Sequence, residues 1–255
     1  MLTKETVASH FSKAASTYDT QATVQLEMAS LLLKKLLSYQ KDNTAFNQIL
    51  EIGCGTGQLS SMLMESLDFK KLVLNDFSED MLLSCQKKFD GTNKSNLIDY
   101  MHADAEKLNL DNKYDLIISN ACFQWLKKLE GDLLNYVEHL QKEGILAFTI
   151  FSKDNFYELR ECSGVSLEYI DKSTLKKILK KTHCAFDIEK IELESYFDDV
   201  KTMLRSFKNT GVSGLTHSIW TRSRLNDFIK TYEDKYSTDN GVKLTWSYYL
   251  VVVKK

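Results

Sequence analysis

Apolar positions recur along the chain in two alternating rhythms. Val24, Met28, Leu31, Leu32 and Leu36 fall at helical spacing, with Lys34 and Lys35 on the other face, and residues 5–37 read as helices. A polar stretch, Gln40-Lys-Asp-Asn-Thr44, ends them. Four short apolar runs follow, each reading as a strand: Ile49 to Gly53, Leu72 to Asp76, Tyr114 to Ser119 and Ile145 to Phe151. Helical stretches lie between them, at Gln58–Ser66, Ser78–Phe89 and Leu129–Leu140. Ser78, followed by Glu79 and Asp80, has the form of an N-cap with acids in the first turn. Strands apolar on both faces, alternating with helices, predict a parallel sheet covered on both sides.

The last third has a different rhythm. Asp154–Cys162 and Thr174–Lys181 read as helices, Ile188–Tyr196 as a strand, and Asp198–Lys208 and Thr221–Tyr232 as two more helices. The chain closes on Lys243-Leu-Thr-Trp-Ser-Tyr-Tyr-Leu-Val-Val-Val253, a strand expected to return antiparallel to the sheet. The expected architecture is α/β and doubly wound: a mostly parallel seven-stranded sheet with an antiparallel last strand and helices on both faces. A single domain, 1–255, would then comprise a helical cap at 1–37, a core at 45–152 and a helical lid at 198–238 between the last two strands.

Composition narrows the partners. The 255 residues carry 33 Lys and Arg against 35 Asp and Glu, a net charge of −2. That balance gives no reason to expect nucleic acid or an anionic membrane. The longest apolar runs, such as Leu244 to Val253, are about half of a spanning helix. The N-terminus lacks the basic and apolar regions of a secretory leader, so a cytoplasmic protein is expected. Five Cys (54, 85, 122, 162 and 184) are too scattered for a CxxC pair or a zinc knuckle, and the five His show no metal-ligand spacing; no metal is expected. Pro is absent and only four Arg occur, so an Arg marks a place where a planar two-pronged donor is of use.

The chemistry concentrates at Glu51-Ile-Gly-Cys-Gly-Thr-Gly57, which follows a strand and opens a helix. Glycines let the backbone turn sharply and a ligand approach it closely, and the helix start offers free N–H groups. Asp76 ends the next strand, 21 residues after Gly55, where its carboxylate lies across the crevice and can accept both hydroxyls of a ribose. A dinucleotide loop would place its third glycine later. The acid–glycine–acid pattern, with a further acidic site at Asp104-Ala-Glu106, resembles the class I methyltransferases that use S-adenosyl-L-methionine (SAM); a nicotinamide site and a purely structural turn are the alternatives.

That resemblance implies roles by position. Glu51, Gly53, Gly55 and Gly57 would shape the loop around the methionine part of SAM, Asp76 would bind the ribose, and Asp104 with the Ala105 amide would receive the adenine. Asn120 would sit near the methionine end.

A narrower resemblance runs along almost the whole chain. Phe11-Ser-Lys-Ala-Ala-Ser-Thr-Tyr-Asp19 with Ala22 and Gln25, Ser119-Asn-Ala-Cys-Phe-Gln-Trp125, Phe197 through Gly211, Trp220-Thr-Arg-Ser-Arg-Leu225 and Leu244-Thr-Trp246 resemble the malonyl-acyl-carrier-protein O-methyltransferases of biotin synthesis. The chain departs from them at Ile219-Trp220 and in lacking the family's prolines. The resemblance implies methyl transfer to the free carboxylate of a malonyl thioester, giving the methyl ester that primes pimeloyl synthesis. The partner implied is a malonyl-loaded acyl carrier protein, or malonyl-CoA. A malonyl carboxylate is ionised near pH 7, so no general base is needed.

Acceptor-positioning candidates are Arg205 and Lys208, with Lys201 on the same helical face, and Tyr18, Gln124 and Trp125 at the acceptor mouth. An acidic carrier would need a basic surface, offered either by Lys172, Lys176, Lys177, Lys180 and Lys181 or by Lys201, Arg205, Lys208, Arg222 and Arg224. Rival readings are a related methyltransferase acting on another small acid or a quinone precursor, and a non-catalytic binding protein of the same fold.

Overall fold

Residues 6, 9, 11–12, 17–40, 45–164, 168–209 and 221–255 are described by a computed structural model, the side chains of Lys208 and Asn209 apart. The 210–220 part of the motif around Gly211, with Ile219 and Trp220, lies outside the described residues, as does part of the 5–37 helical stretch.

A helical turn, Tyr18–Gln21, leads into α1 (Thr23–Tyr39). Strands and helices then alternate: β1 (Phe46–Ile52), α2 (Gln58–Ser66), β2 (Phe69–Asp76), α3 (Glu79–Phe89), β3 (Ile98–His102), β4 (Tyr114–Ser119), α4 (Leu129–Glu138) and β5 (Leu140–Phe151). The last third runs α5 (Tyr157–Ser163), α6 (Lys172–Lys180), β6 (Ala185–Phe197), α7 (Val200–Asn209), α8 (Arg222–Tyr236), a two-residue β7 (Ser237–Thr238) and β8 (Gly241–Lys254). Ser78 caps α3 as expected, its hydroxyl accepting from the Met81 N–H.

The strand order is β3-β2-β1-β4-β5-β8-β6, with β7 on the edge of β8. The first five strands are parallel, and β8 runs antiparallel to both β5 and β6. This is the expected architecture, a Rossmann-like class I methyltransferase sheet. The strand order reverses between β1 and β4, and at such a switch point a crevice opens outside the carboxyl ends of the strands.

One strand was not legible from the hydrophobic pattern. In β3 only Ile98 is buried; Asp99 and His102 face water, because β3 is the sheet edge and needs no second apolar face.

Two apolar layers clamp the sheet. Met28 and Leu32 of α1, Leu59 and Leu63 of α2, Cys85 of α3, Phe207 of α7 and Tyr232 of α8, with Trp246 and Tyr248 of β8, form the layer on one face. Phe123, Tyr136, Phe148, Leu175, Leu179 and Tyr249 fill the other. Each such side chain stabilises the fold by about 1.5–3 kcal/mol through burial. The helices α7 and α8, between β6 and β7, share the first layer through Val200, Met203, Phe207, Phe228 and Tyr232, and the Tyr232 hydroxyl donates to the Lys243 carbonyl at 2.7 Å.

Candidate functional site

Strand β1 ends on the sheet's carboxyl edge, and the chain turns into α2 through Gly53, Gly55 and Gly57, all at positive φ (72°, 56° and 86°). The Gly53 and Cys54 N–H groups both donate to the Asn75 carbonyl, at 2.8 and 2.9 Å. A Cβ at Gly53 would stand 2.5 Å from Cys122 Sγ, and one at Gly57 would stand 2.8 Å from Cys85 Sγ. A Cβ at Gly55 would meet nothing within 4 Å. Two glycines therefore let the loop fit the protein, and the third leaves room beside it.

Asp76 organises the loop from the next strand. Its Oδ2 accepts the Gly55 N–H and its Oδ1 the Ser78 N–H, each at 2.8 Å. Burial pushes its pKa above the ordinary carboxylate value, and the N–H groups of Ser78, Gly55 and Phe77 pull the other way. Each oxygen keeps a lone pair for a further donor, so the carboxylate suits a pair of neighbouring hydroxyls.

Glu51 lies behind the loop, 1% exposed, with Oε2 accepting the Ser60 hydroxyl at 2.6 Å. Burial pushes its pKa up to about 8; the Ser60 bond opposes this and the charge of Asp76 adds to it. Near pH 7 the group is a neutral carboxyl, able to donate as well as accept.

Past β3, Asp104 caps the turn Ala105–Lys107, accepting the Glu106 N–H at 3.1 Å, and the Ala105 carbonyl accepts from the Tyr136 hydroxyl at 3.0 Å. Asn75 fixes this segment, donating to the carbonyls of Met101 and Ala103 at 3.0 and 2.9 Å.

Asn120 follows β4. Its Oδ1 accepts the Thr149 hydroxyl at 2.7 Å, and its Nδ2 donates to the Gln25 carbonyl at 2.9 Å. The side chain thus ties α1 to β5. Gln124 Nε2 donates to the Ala121 carbonyl at 2.6 Å, while its Oε1 is buried with no hydrogen-bond partner among the described residues.

The residues before α1 cross all three loops. Ser12 Oγ lies 3.0 Å from Ser78 Oγ, after β2. Phe11 meets Trp125, after β4, edge-on at 6.0 Å, and Tyr18 at 6.3 Å. Asp19 accepts a short hydrogen bond from the Thr56 hydroxyl in the glycine loop and pairs with Lys88 at 2.8 Å. Burial, with Asp76, Cys122 and Asp19 nearby, holds the Tyr18 phenol well above its ordinary pKa, so it stays a donor. Asp19 was missed as a site residue. It ends the Phe11–Asp19 motif, but nothing in the sequence announces a partner 37 positions away.

Glu51, the three glycines, Asp76, Tyr18, Asn120, Gln124 and Trp125 thus gather around one crevice, with Asp104 and Ala105 at its β3 side. Arg205 does not join them. Val200, Met203 and Phe207 give α7 its inward face, and Lys201 and Arg205 stand exposed on the other. The side chain of Lys208 lies outside the described residues. Arg222 and Arg224 at the start of α8 are exposed, as are Lys172, Lys176, Lys177 and Lys180 on α6. Lys181, also exposed, pairs with Glu130 at 2.6 Å.

Residues 50–148 match the family model described as a methyltransferase domain. The chain is 32% identical to the malonyl-[acyl-carrier protein] O-methyltransferase 2 of Ilyobacter polytropus, over 96% of this chain and 95% of that one. A Bacteroides fragilis malonyl-[acyl-carrier protein] O-methyltransferase is 31% identical over 98% of this chain, which spans half of that longer protein. Among solved structures, the magnesium protoporphyrin IX methyltransferase of Synechocystis, determined with S-adenosylhomocysteine, superposes with a TM-score of 0.56 at 15% identity, over 91% of this chain and 83% of that one. Fold, crevice and full-length similarity agree, and the chain belongs to the malonyl-[acyl-carrier protein] O-methyltransferase family.

Proposed function

We propose that this protein transfers a methyl group from SAM to the free carboxylate of a malonyl thioester on an acyl carrier protein, giving the methyl ester that primes pimeloyl synthesis. The observation that carries this reading is the Asp76 carboxylate, held by the Gly55 and Ser78 N–H groups beside open space at Gly55. A cofactor with a ribose diol and a slender chain fits there. SAM supplies the methyl on a sulfonium, already a good leaving group.

The residues of the crevice divide the work of holding it. Asp76 accepts the two ribose hydroxyls. Asp104 and the Ala105 amide receive the adenine edge. The loop Gly53–Gly57, with the neutral carboxyl of Glu51 behind it, lines the methionine portion, and the backbone beside Asn120 borders its far end. Gln124 Oε1, buried and unpartnered, is placed to accept a hydrogen bond from a bound group. Tyr18 and Trp125 close the acceptor mouth, and Asp19 fastens that closure to the glycine loop through Thr56.

No residue needs to take a proton, because the acceptor arrives ionised. The chain's contribution is alignment and the exclusion of water, which supplies about 7–11 kcal/mol in well-oriented reactions.

The carrier protein docks, on this reading, against the exposed cations Lys201, Arg205, Arg222 and Arg224, since acidic carriers are steered by a positive face. The helices α7 and α8 then act as a lid bearing those cations. No helix among the described residues is long and apolar enough to cross a membrane.

The test is transfer of labelled methyl from SAM to malonyl-carrier protein, malonyl-CoA, free malonate and other small acids. Label on the malonyl carrier supports the reading. Label on a different acid alone keeps the fold and overturns the substrate.

A further inference from the structure

Beyond β5 the chain turns through Lys153–Phe156. Asn155 in this turn is 3% exposed. Its Oδ1 accepts the Ser247 N–H at 3.0 Å. A backbone N–H can only donate, so the orientation of the amide is fixed and Nδ2 faces the other way. Among the described residues Nδ2 has no hydrogen-bond partner. It lies beside the Tyr169 hydroxyl, near enough to affect its acidity without forming a proper hydrogen bond. A buried donor left unpaired costs about 1–3 kcal/mol. The next residue, Phe156, adds strain by adopting the left-handed region, at φ 55° and ψ 40°.

The position of this amide gives it a use. Thr149 holds Asn120 and the Ala121 N–H at the end of β4. Two residues further along the same face of β5, Phe151 meets the rings of Tyr169 at 5.7 Å, Trp246 at 6.0 Å and Phe156 at 6.4 Å. The Tyr169 ring thus packs on Phe151, whose backbone lies two residues, about 7 Å, along β5 from Thr149, which holds the loop after β4. Burial keeps the Tyr169 phenol protonated.

We propose that Asn155 Nδ2 and the Tyr169 hydroxyl are the two donors that seat the carboxylate of the acceptor. The inference rests on the functional reading above and names residues it does not use. In the transfer, a lone pair of one carboxylate oxygen forms the O–CH3 bond as the CH3–S bond breaks, and that bonding pair goes to sulfur. The negative and positive charges disappear together and no proton moves. A cation fixed on the carboxylate would lose its attraction as the reaction proceeds and would favour the ground state. Neutral donors on the non-attacking oxygen keep their bonds, since that oxygen becomes an ester carbonyl. An unpaired amide and a phenol in an aromatic wall meet this requirement, and the solvent-facing Arg205 does not.

Asn155→Asp tests the seat. It keeps an oxygen for the Ser247 N–H and replaces the donor by a carboxylate facing the substrate's own. Near pH 7, kcat/KM for malonyl-carrier protein is expected to fall about a hundredfold, the scale of an unpaired buried charge. Kd for SAM should stay within about twofold, and the variant should remain fully folded at the assay temperature. Part of the loss should be recovered toward about pH 5.5 as the new carboxyl takes up a proton. Tyr169→Phe, which keeps the ring, is expected to lose about tenfold.

Either variant working within about twofold of wild type overturns the seat. So does a loss of SAM affinity or stability that matches the loss of rate. Wild-type protein that leaves the malonyl carrier unlabelled overturns the functional reading and the seat with it; a wild type that labels while its variants are unimpaired overturns the seat alone.

Discussion

The two sides of the crevice are held by different forces. On the cofactor side, backbone N–H groups and short polar side chains lock together: Gly53 and Cys54 on Asn75, Gly55 and Ser78 on Asp76, Ser60 on Glu51. On the side where the acceptor is proposed to bind, the packing behind the crevice is aromatic, Phe151, Phe156, Phe207, Tyr169 and Trp246 meeting ring to ring, with Phe156 and Trp246 as close as 4.6 Å. Hydrogen bonds of fixed direction admit one backbone path, so that side leaves a rigid motif in the sequence. Ring packing tolerates exchange of similar volumes, so the other side is written loosely and its chemistry rests on a few polar atoms.

The largest expected effect strikes the locked side. In Gly53→Ala the new Cβ runs into Cys122 Sγ at a φ that favours glycine. SAM binding should vanish in a calorimetric titration and the melting temperature should drop by about 4–8 °C per kcal/mol for a small domain, less for a chain of this size. Gly55→Ala meets open space and keeps only the backbone strain of φ 56°, so it should lose SAM affinity with a smaller change in melting temperature. Equal destabilisation by the two would break the distinction between glycines that serve the fold and the glycine that serves the ligand.

Next in size is Asp76→Ala, which removes the proposed ribose acceptor and frees the Gly55 N–H. A Kd for SAM weakened about 10- to 100-fold is expected, the equivalent of one or two charge-assisted hydrogen bonds. Unchanged affinity would remove Asp76 from the site.

A smaller effect is expected from Arg205→Glu on the exposed face of α7. Reaction with malonyl-carrier protein should slow about tenfold at low salt and less at high salt, with SAM affinity and reaction of a small malonyl thioester unaltered. Equal slowing of the small thioester would place Arg205 at the reacting centre instead.

The smallest effect is read from pH. Glu51 has a folded pKa raised from 4.5 to about 8. Between those values the unfolded chain releases a proton that the folded chain keeps, so this group's contribution to stability falls as pH rises through the window. Glu51→Gln should therefore melt higher than wild type near pH 8, with the gap narrowing toward pH 5. A gap that does not change with pH would show that Glu51 is ionised in the folded protein.

The sequence made the locked side legible because its spacing is local. Glu51 to Gly57, Asp76 and the Ser78 cap all stand where expected. The order of the elements was readable too, except for β3, whose single buried residue leaves no apolar run. On the acceptor side the helical spacing of Lys201 and Arg205 correctly placed them on one face. It could not tell that the inward face is that of Val200, Met203 and Phe207. Asp19 and Asn155 escaped for a related reason. Their partners, Thr56 and Ser247, are 37 and 92 positions away, and such pairings exist only once the sheet has formed.

Strand β8, the last of the sheet to be synthesised, lies between β5 and β6. Its ladder with β6 runs from Ala185 opposite Lys254 to Phe197 opposite Val242. On a ribosome adding about 5–20 residues per second, β6 emerges seconds before the strand that will join it to the sheet. During that interval a 13-residue β-forming segment has no native partner strand. Asp187, Glu189, Lys190, Glu192 and Glu194 stud that segment, and like the charges that guard natural sheet edges they discourage pairing with other nascent chains. Their value is to solubility during synthesis as much as to the finished enzyme, so neutralising them would show first as inclusion bodies.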